Sequence, residues 1–393
     1  MGKTKTYCFI SNYLTPHQLP FCLAMQSKTG DHFVFIETDT LPEERRRLGY
    51  PTLGERYSFV INATESEENK QKALTVANEC DVVIIGSAPD AYIQRRLQEN
   101  KLTFRFSERI FKKRYFDPLR WAKHTVKNLK YRNKNLFLLL SSAYAAHDYK
   151  RCGMREEKML KWGYFPEAAQ DASGKIKKAP NTCVWVGRFL ALKHPDDAIN
   201  AIIRLREKGY RVSLDLVGSG EMGDALEEIV KKNHAEEYIR FVGNQPYERV
   251  REYMNKAEVF LFTSDYGEGW GAVLNEAMDS GCVVVASHAA GSVPYLIKDG
   301  ENGFVYPSGN GERLVETLKN ILDGKADVEK ISRLARETLS SEWNAARATD
   351  KLLSFCEAFF AGDYKKGICD EGVLSPAKAI PQKDMYHHVT REN

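Results

Sequence analysis

What the 393-residue chain lacks narrows the field first. No apolar run approaches the ~18 residues that a membrane-spanning helix needs. The longest, Leu136–Leu140 and Cys282–Ala286, read as buried strands. The start, Met1-Gly-Lys-Thr-Lys-Thr6, enters an apolar strand with no signal-peptide core or cleavage site, so a cytoplasmic location is expected. The eight cysteines (8, 22, 80, 152, 183, 282, 356 and 369) form no Cys-x-x-Cys pair and no zinc spacing with histidine. They read as reduced structural thiols. An excess of one charge is missing too: the formal net charge is only +4, which by itself gives no reason to expect nucleic acid.

What is present is a composition of 43% hydrophobic and 28% charged residues, that of a globular protein long enough for two cored domains. The most informative stretch is Tyr266-Gly-Glu-Gly-Trp-Gly-Ala-Val-Leu-Asn-Glu-Ala-Met-Asp-Ser-Gly281. Two carboxylates, Glu268 and Glu276, stand eight residues apart, the first among Gly267, Gly269 and Gly271, the second in a helix-forming run. Glycines let a backbone approach a ligand closely, and a helix opening after such a loop presents N–H groups to an anion. That combination suits a polyhydroxylated, phosphorylated ligand, and a nucleotide sugar is the expected one. A glutamate in a helical run is more often merely solvated, so the weight rests on the company it keeps.

Apolar strand-like runs alternate with helix-period segments from end to end, which predicts an α/β protein with parallel sheets. Strands are expected at Tyr7–Ile10, Phe33–Ile36, Phe59–Ile61, Val82–Ile85, Thr103–Phe106 and Phe137–Leu140, then at Cys183–Val186, Val212–Val217, Ile239–Val242, Val259–Phe262, Val283–Ala286 and Phe304–Tyr306. The polar stretch Pro166–Pro180 reads as a linker. The expected organisation is a first Rossmann-like domain over 1–165, a linker over 166–180 and a second over 181–343. A helix over 344–361 would return to the first domain, and 362–393 reads as a surface extension or disordered tail. The two domains are expected to face each other across a cleft at their strands' carboxyl ends, where open α/β sheets bind ligands.

In the second half, Gly187-Arg188…Lys193 follows a strand, and its two cations either converge on a diphosphate or lie solvated at the surface. Gly218-Ser-Gly220 follows the next strand as a small phosphate-loop-like turn, a weak signal alone. In colinear order these elements, with Phe241-Val-Gly243, Ala257–Ser264, Glu268-Gly-Trp-Gly…Glu276-Ala-Met…Gly281 and Gly300-Glu-Asn-Gly303, resemble the retaining family 4 glycosyltransferases of the glycosyltransferase-B fold, of bacterial polysaccharide type. The resemblance spans about residues 181–360 closely and the first half mainly in layout. It implies that Arg188 and Lys193 neutralise the donor diphosphate and that Glu268 contacts the transferred sugar. It implies equally that Glu276 accepts from the ribose hydroxyls and that Gly269, Trp270 and Gly271 offer backbone N–H groups. Gly218, Gly220 and Gly243 would line the nucleotide. With no aspartate cluster for a divalent ion evident nearby, no metal is expected to be required. Cys282 stands where a proline is frequent, and Trp270 where phenylalanine is usual.

The first half departs from the family pattern, because the double-glycine loop after the first strand is replaced by Ser11-Asn-Tyr-Leu-Thr-Pro-His17-Gln18. Pro16 is expected to open a helix capped by Thr15, with His17 either reaching phosphate or acceptor or bonded locally. Glu108 and Arg109, at another strand end, read as acceptor contacts or as ordinary ion-paired side chains. Residues 109–134 carry ten basic residues and one acid, with apolar residues at near-helical spacing. That pattern suits an anionic membrane surface, or a domain helix with a solvated basic face.

The expected activity is transfer of a hexosyl-type group from a nucleotide-diphosphate sugar to a glycan or lipid-linked acceptor, with retention. A nucleotide-sugar epimerase or isomerase on this fold, or a non-catalytic sugar-nucleotide-binding partner of a transferase, stays open as an alternative.

Overall fold

The computed structural model describes residues 4–43, 46, 51–112, 117–168 and 178–390. The chain forms two compact units: Met1–Glu167 with Trp343–Ile380, and Ala168–Glu342 with Pro381–Asn393.

The first unit is built on β1 (Tyr7–Ser11), β2 (Phe33–Glu37), β3 (Val60–Asn62), β4 (Val82–Ile85), β5 (Thr103–Ser107), β6 (Leu136–Leu140) and β7 (Met159–Lys161). They pair in the order β3-β2-β1-β4-β5-β6-β7, parallel throughout. Strands covered on both faces must be apolar on both, and every residue of β1, β4 and β6 is buried. The helix Ala345–Phe360 packs Phe355 edge-on against Phe104 and Phe137, at ring-centroid distances of 5.3 and 5.0 Å.

Two expectations are corrected here. Strand β7 was not foreseen, because three residues are too few to show a period. The stretch beyond Ala361 is not a loose tail: Val373 and Leu374 are fully buried, and residues 374–377 cover the open edge of β7. Lys161 N donates to Ser375 O at 2.8 Å, Leu374 N to Lys161 O at 2.9 Å, and Ala377 N to Met159 O at 2.9 Å. Composition pointed to solvent, but an edge strand's unpaired backbone groups need partners, and this segment supplies them.

The second unit holds β8 (Ala179–Val186), β9 (Ser213–Val217), β10 (Ile239–Gly243), β11 (Ala257–Phe262), β12 (Val283–Ser287) and β13 (Phe304–Tyr306). Their order is β10-β9-β8-β11-β12-β13, again all parallel. One apolar cluster runs through this sheet and its helices, drawing on Trp185, Ile202, Leu216, Leu261, Val285 and Leu318.

Most of the expected linker lies outside the described residues. Its far end is fixed to the second unit: the Lys178 ammonium donates to Met254 O and Ser280 O, both at 2.8 Å. Cys282 explains its own presence in the same place, since its thiol donates to Met254 O at 3.0 Å. Residues 381–390 belong to this unit, where Met385 is buried and the Tyr386 ring meets His288 at 5.4 Å. Among the described residues no helix is long and apolar enough to cross a membrane.

Candidate functional site

The second sheet reverses its direction of winding between β8 and β11. At such a switch point the loops leaving adjacent strands diverge to opposite faces and open a crevice at the carboxyl ends. The loop after β8 carries Arg188 and Lys193; the loop after β11 carries Glu268. Two hydrogen bonds tie the two loops together, and a third joins β8 itself to the loop after β11. Asp265 N donates to Leu192 O at 2.8 Å and Thr263 Oγ1 to Lys193 O at 2.6 Å, while the Trp185 indole N–H donates to Thr263 Oγ1 at 2.9 Å.

On this frame Lys193 Nζ and Glu268 Oε2 meet at 2.5 Å, with side chains 16% and 14% exposed. Ser264 Oγ donates to the same carboxylate oxygen at 3.3 Å. Residues 75 apart in sequence thus form a charge pair at the switch point. Partial burial strengthens the attraction, and the remaining exposure leaves both groups open to a polar ligand. Arg188 is exposed and forms no ion pair among the described residues.

Glu276 lies on the seven-residue helix Val273–Asp279 that follows the loop. It is 7% exposed, and its neighbour Arg251 spends its guanidinium on Glu276's own backbone carbonyl and on Asp279. No side chain among the described residues hydrogen-bonds the Glu276 carboxyl. Desolvation therefore dominates and raises its pKa to about 7, against the weaker pull of Arg251. A buried acceptor of this kind is costly without donors, and ligand hydroxyls would supply them.

The glycines divide by cause. Gly271 has φ +79°, and a Cβ there would come within 2.4 Å of the Phe262 ring. Gly218 has φ +137°, and its Cβ would strike Gly187 O at 1.9 Å; at Gly220 a Cβ would reach Phe189 O at 2.6 Å. The Gly-x-Gly turn therefore lets the loops after β8 and β9 touch, whatever else it does. Gly243, φ +78°, has open space where a Cβ would go, and its carbonyl accepts from Gly218 N at 2.9 Å. Gly269 is buried. Trp270 is 1% exposed, and its indole N–H donates to Asn275 Oδ1 at 2.9 Å, a bond phenylalanine in its place would not make.

Sequence reasoning passed over Asp265, His194 and His288, which shape this loop. Asp265 Oδ1 accepts from Gly267 N at 2.7 Å, and its other oxygen faces His194 Nε2 at 3.4 Å. That bond raises the His194 pKa. Tyr266 Oη sits 2.7 Å from His288 Nε2, while His288 Nδ1 accepts from Ser308 N at 3.0 Å. A ring nitrogen that accepts from a backbone N–H bears no proton, so the neutral His288 carries its hydrogen on Nε2 and donates it to Tyr266. Burial pushes the His288 pKa down to about 4, which keeps it neutral. A histidine just past a strand's carboxyl end was the available signal.

The expectation that no acidic cluster lies nearby is corrected. His194, Asp196 and Asp197 place potential ligand atoms within 4.8 Å of one another, at the start of helix Pro195–Glu207. The spacing was present in the sequence, but adjacent aspartates in a first helical turn read as dipole partners.

In the first unit, the His17 and Tyr164 rings meet at 6.3 Å, and Tyr164 Oη donates to Glu108 Oε1 at 3.3 Å. Lys112 pairs with the other Glu108 oxygen. Arg109 is committed elsewhere: it forks onto Asp148 with two bonds of 3.2 Å, both side chains at most 7% exposed. Phe111 N also donates to Asp148, and Tyr144 lies under the guanidinium. Arg109 therefore holds the unit together instead of reaching an acceptor. The helix expected at Pro16 begins at Leu19, with Gln18 as its cap and Pro20 in its first turn. Thr15 is drawn into a turn, its N and Oγ1 both bonded to Gln18 Oε1.

With the geometry in place, comparison with known proteins adds the following. The sequence profile of the family Glycosyl transferases group 1 matches residues 167–338. The chain is 27% identical over 231 residues to the amylovoran biosynthesis glycosyltransferase AmsK of Erwinia amylovora, covering 57% of this chain and 56% of that protein. It is 26% identical over 235 residues to the putative colanic acid biosynthesis glycosyltransferase WcaL of Salmonella typhimurium, covering 58% and 57%. The chain thus spans about half the length of the curated relatives it matches. Among solved structures, Anabaena HepE in complex with UDP superposes with a TM-score of 0.68 at 16% identity, covering 91% of this chain and all of that one. The apo lipopolysaccharide outer core galactosyltransferase WaaB gives 0.65 at 16%, covering 91% and 99%. Each unit is a Rossmann-like parallel-sheet domain, as expected, and the chain shares its α/β fold with these glycosyltransferase-B structures.

Proposed function

We propose that this chain transfers a glycosyl group from a nucleotide-diphosphate sugar to a hydroxyl of a glycan or lipid-linked acceptor, with retention, in surface polysaccharide assembly. The observation that carries the reading is the Lys193–Glu268 pair at the switch point of the second sheet, with Glu276, a buried carboxyl without a side-chain partner among the described residues, on the following helix. Anabaena HepE is complexed with UDP and with UDP-glucose in its solved structures, which supports a nucleotide sugar as ligand here. The polysaccharide assignments of the curated relatives support the acceptor class.

In this reading Lys193 and the exposed Arg188 take the donor diphosphate, Glu276 accepts from the ribose hydroxyls, and Glu268 orients the sugar. As the bond from the anomeric carbon to the phosphate oxygen breaks, negative charge grows on the diphosphate. Fixed cations stabilise it, so no metal is required. The acceptor oxygen bonds the anomeric carbon on the face just vacated, and its proton passes to the departing diphosphate. His17 and Glu108, brought together by Tyr164, are proposed to meet the acceptor. The test is a thermal-shift screen of uridine, guanosine and adenosine diphosphate sugars, followed by assay of nucleoside diphosphate release. Binding should raise the melting temperature, and release should depend on acceptor. Sugar conversion without released nucleoside diphosphate would instead mark an isomerase.

A further inference from the structure

The helix Pro118–Tyr131 carries an apolar face that its own unit does not cover. Leu119, Ala122, Val126 and Leu129, spaced three and four apart, form one continuous apolar stripe. An amphipathic helix of a globular domain buries such a stripe. Here it faces solvent: Leu119 is 83% exposed, Val126 70% and Leu129 48%.

The opposite face, which docks on the first unit, is mixed: Trp121 and Tyr131 are partly buried against apolar clusters of that unit, beside polar contacts. Asn128 is its one buried residue, Lys127 pairs with Asp90, and the Trp121 indole donates to Arg151 O at 3.2 Å. The helix is thus anchored through that face, while the Leu119, Val126 and Leu129 stripe is a second apolar face that its own unit leaves uncovered. Arg120, Lys123 and Lys130 flank the stripe, all exposed, and no acidic residue occurs between Pro118 and Lys134. The cation crowding is felt within the helix, where burial and then Lys127, Arg120 and Lys123 lower the His124 pKa.

We propose that this face lies in the surface of an anionic lipid bilayer, with the stripe in the acyl boundary and the cations among the headgroups. Apolar area and electrostatic attraction add in such binding, and neither alone suffices for a short helix. Charge complementarity selects an anionic bilayer over an apolar protein partner, which would leave three cations unmatched.

The experiment uses the full chain and vesicles of phosphatidylcholine with or without phosphatidylglycerol, read by co-sedimentation and independent of any activity. The wild-type chain should bind only the vesicles containing phosphatidylglycerol. The double variant Leu119→Asp/Val126→Asp should lose binding by roughly tenfold or more. Arg120→Glu/Lys123→Glu/Lys130→Glu should lose it and abolish the difference between the two vesicle types. All the substituted residues are exposed, so thermal melting of each variant should match the wild type. Equal binding of the Leu119→Asp/Val126→Asp variant and the wild type, or no binding by either, overturns the proposal. So does sedimentation velocity showing a wild-type dimer that this variant breaks without any lipid binding, since a second copy would then be the occupant. Donor binding in the thermal-shift screen is untouched by any of these outcomes, so the two readings fail separately.

Discussion

Two parallel sheets of the same winding order furnish their carboxyl ends in different ways. Past β8 and β11, charged groups are paired with each other at the crevice or left open: Lys193 with Glu268, Arg188 exposed, and Glu276 buried with no side-chain donor among the described residues. Past β5, the charges are absorbed into the unit itself: Arg109 on Asp148, Glu108 on Lys112 and Tyr164. The lesson is that a charged residue at a strand end can meet a ligand only while part of it stays exposed, as the paired Lys193, Glu268 and Glu108 do and the buried Arg109 does not.

The sharpest way to test that contrast is Arg109→Ala. Removing one partner of a buried fork should cost about 3–5 kcal/mol of stability, because Asp148 is left buried and unpaired. Urea unfolding measures it, and kcat of the folded fraction should be unchanged. A loss of kcat at wild-type stability would return Arg109 to the acceptor site. On the other sheet, Lys193→Ala should act the opposite way, lowering kcat by roughly 10²–10³-fold, the effect of removing one preorganised charge-stabilising group. Nucleoside diphosphate release checks it, and an unchanged rate would remove Lys193 from the donor site.

Smaller effects refine the picture. Gly218→Ala forces a Cβ onto Gly187 O at a φ that side chains rarely adopt, which should destabilise by about 1–3 kcal/mol. Gly209, φ +88° with nothing near its Cβ, should tolerate alanine at about 1 kcal/mol or less. Comparable melting of the two variants would show that the loop contact does not matter.

Acidity separates two buried groups of the second unit. His288, depressed to about 4, lets the unfolded chain bind more protons between pH 4 and its ordinary 6.5. Its stability contribution is complete above 6.5 and is lost as pH falls through that window. Glu276, raised to about 7, acts in the other sense: its contribution is complete below the ordinary value of 4.5 and is lost as pH rises through 7. Hydroxyl donors prefer the ionised carboxylate, so nucleotide-sugar affinity should rise from pH 6 to 8. Glu276→Gln should flatten that rise in a titration series, and a slope surviving in the variant would assign it to another group.

Much of this was legible in the residues alone. Alternating apolar runs mark strands because a strand buried on both faces admits little else, and the order of glycines, cations and glutamates pointed to the second unit's candidate site. The residues that shape that site in space were not legible. Tyr266 and His288 are 22 positions apart, and Trp185 and Thr263 are 78 apart. Only pairing of β11 with β8 and β12 brings such partners to one edge.

The sequence by itself determined the two-sheet architecture, the strand ends and the chemical character of the loop after β11, since these follow from local periodicity and spacing. Tertiary structure alone decided that Arg109 is a buried strut, that residues 374–377 close an open sheet edge, and that the leucines of helix Pro118–Tyr131 face outward. The reason is that burial and pairing are properties of a residue's neighbours in space, and a linear pattern records only what each side chain is able to do.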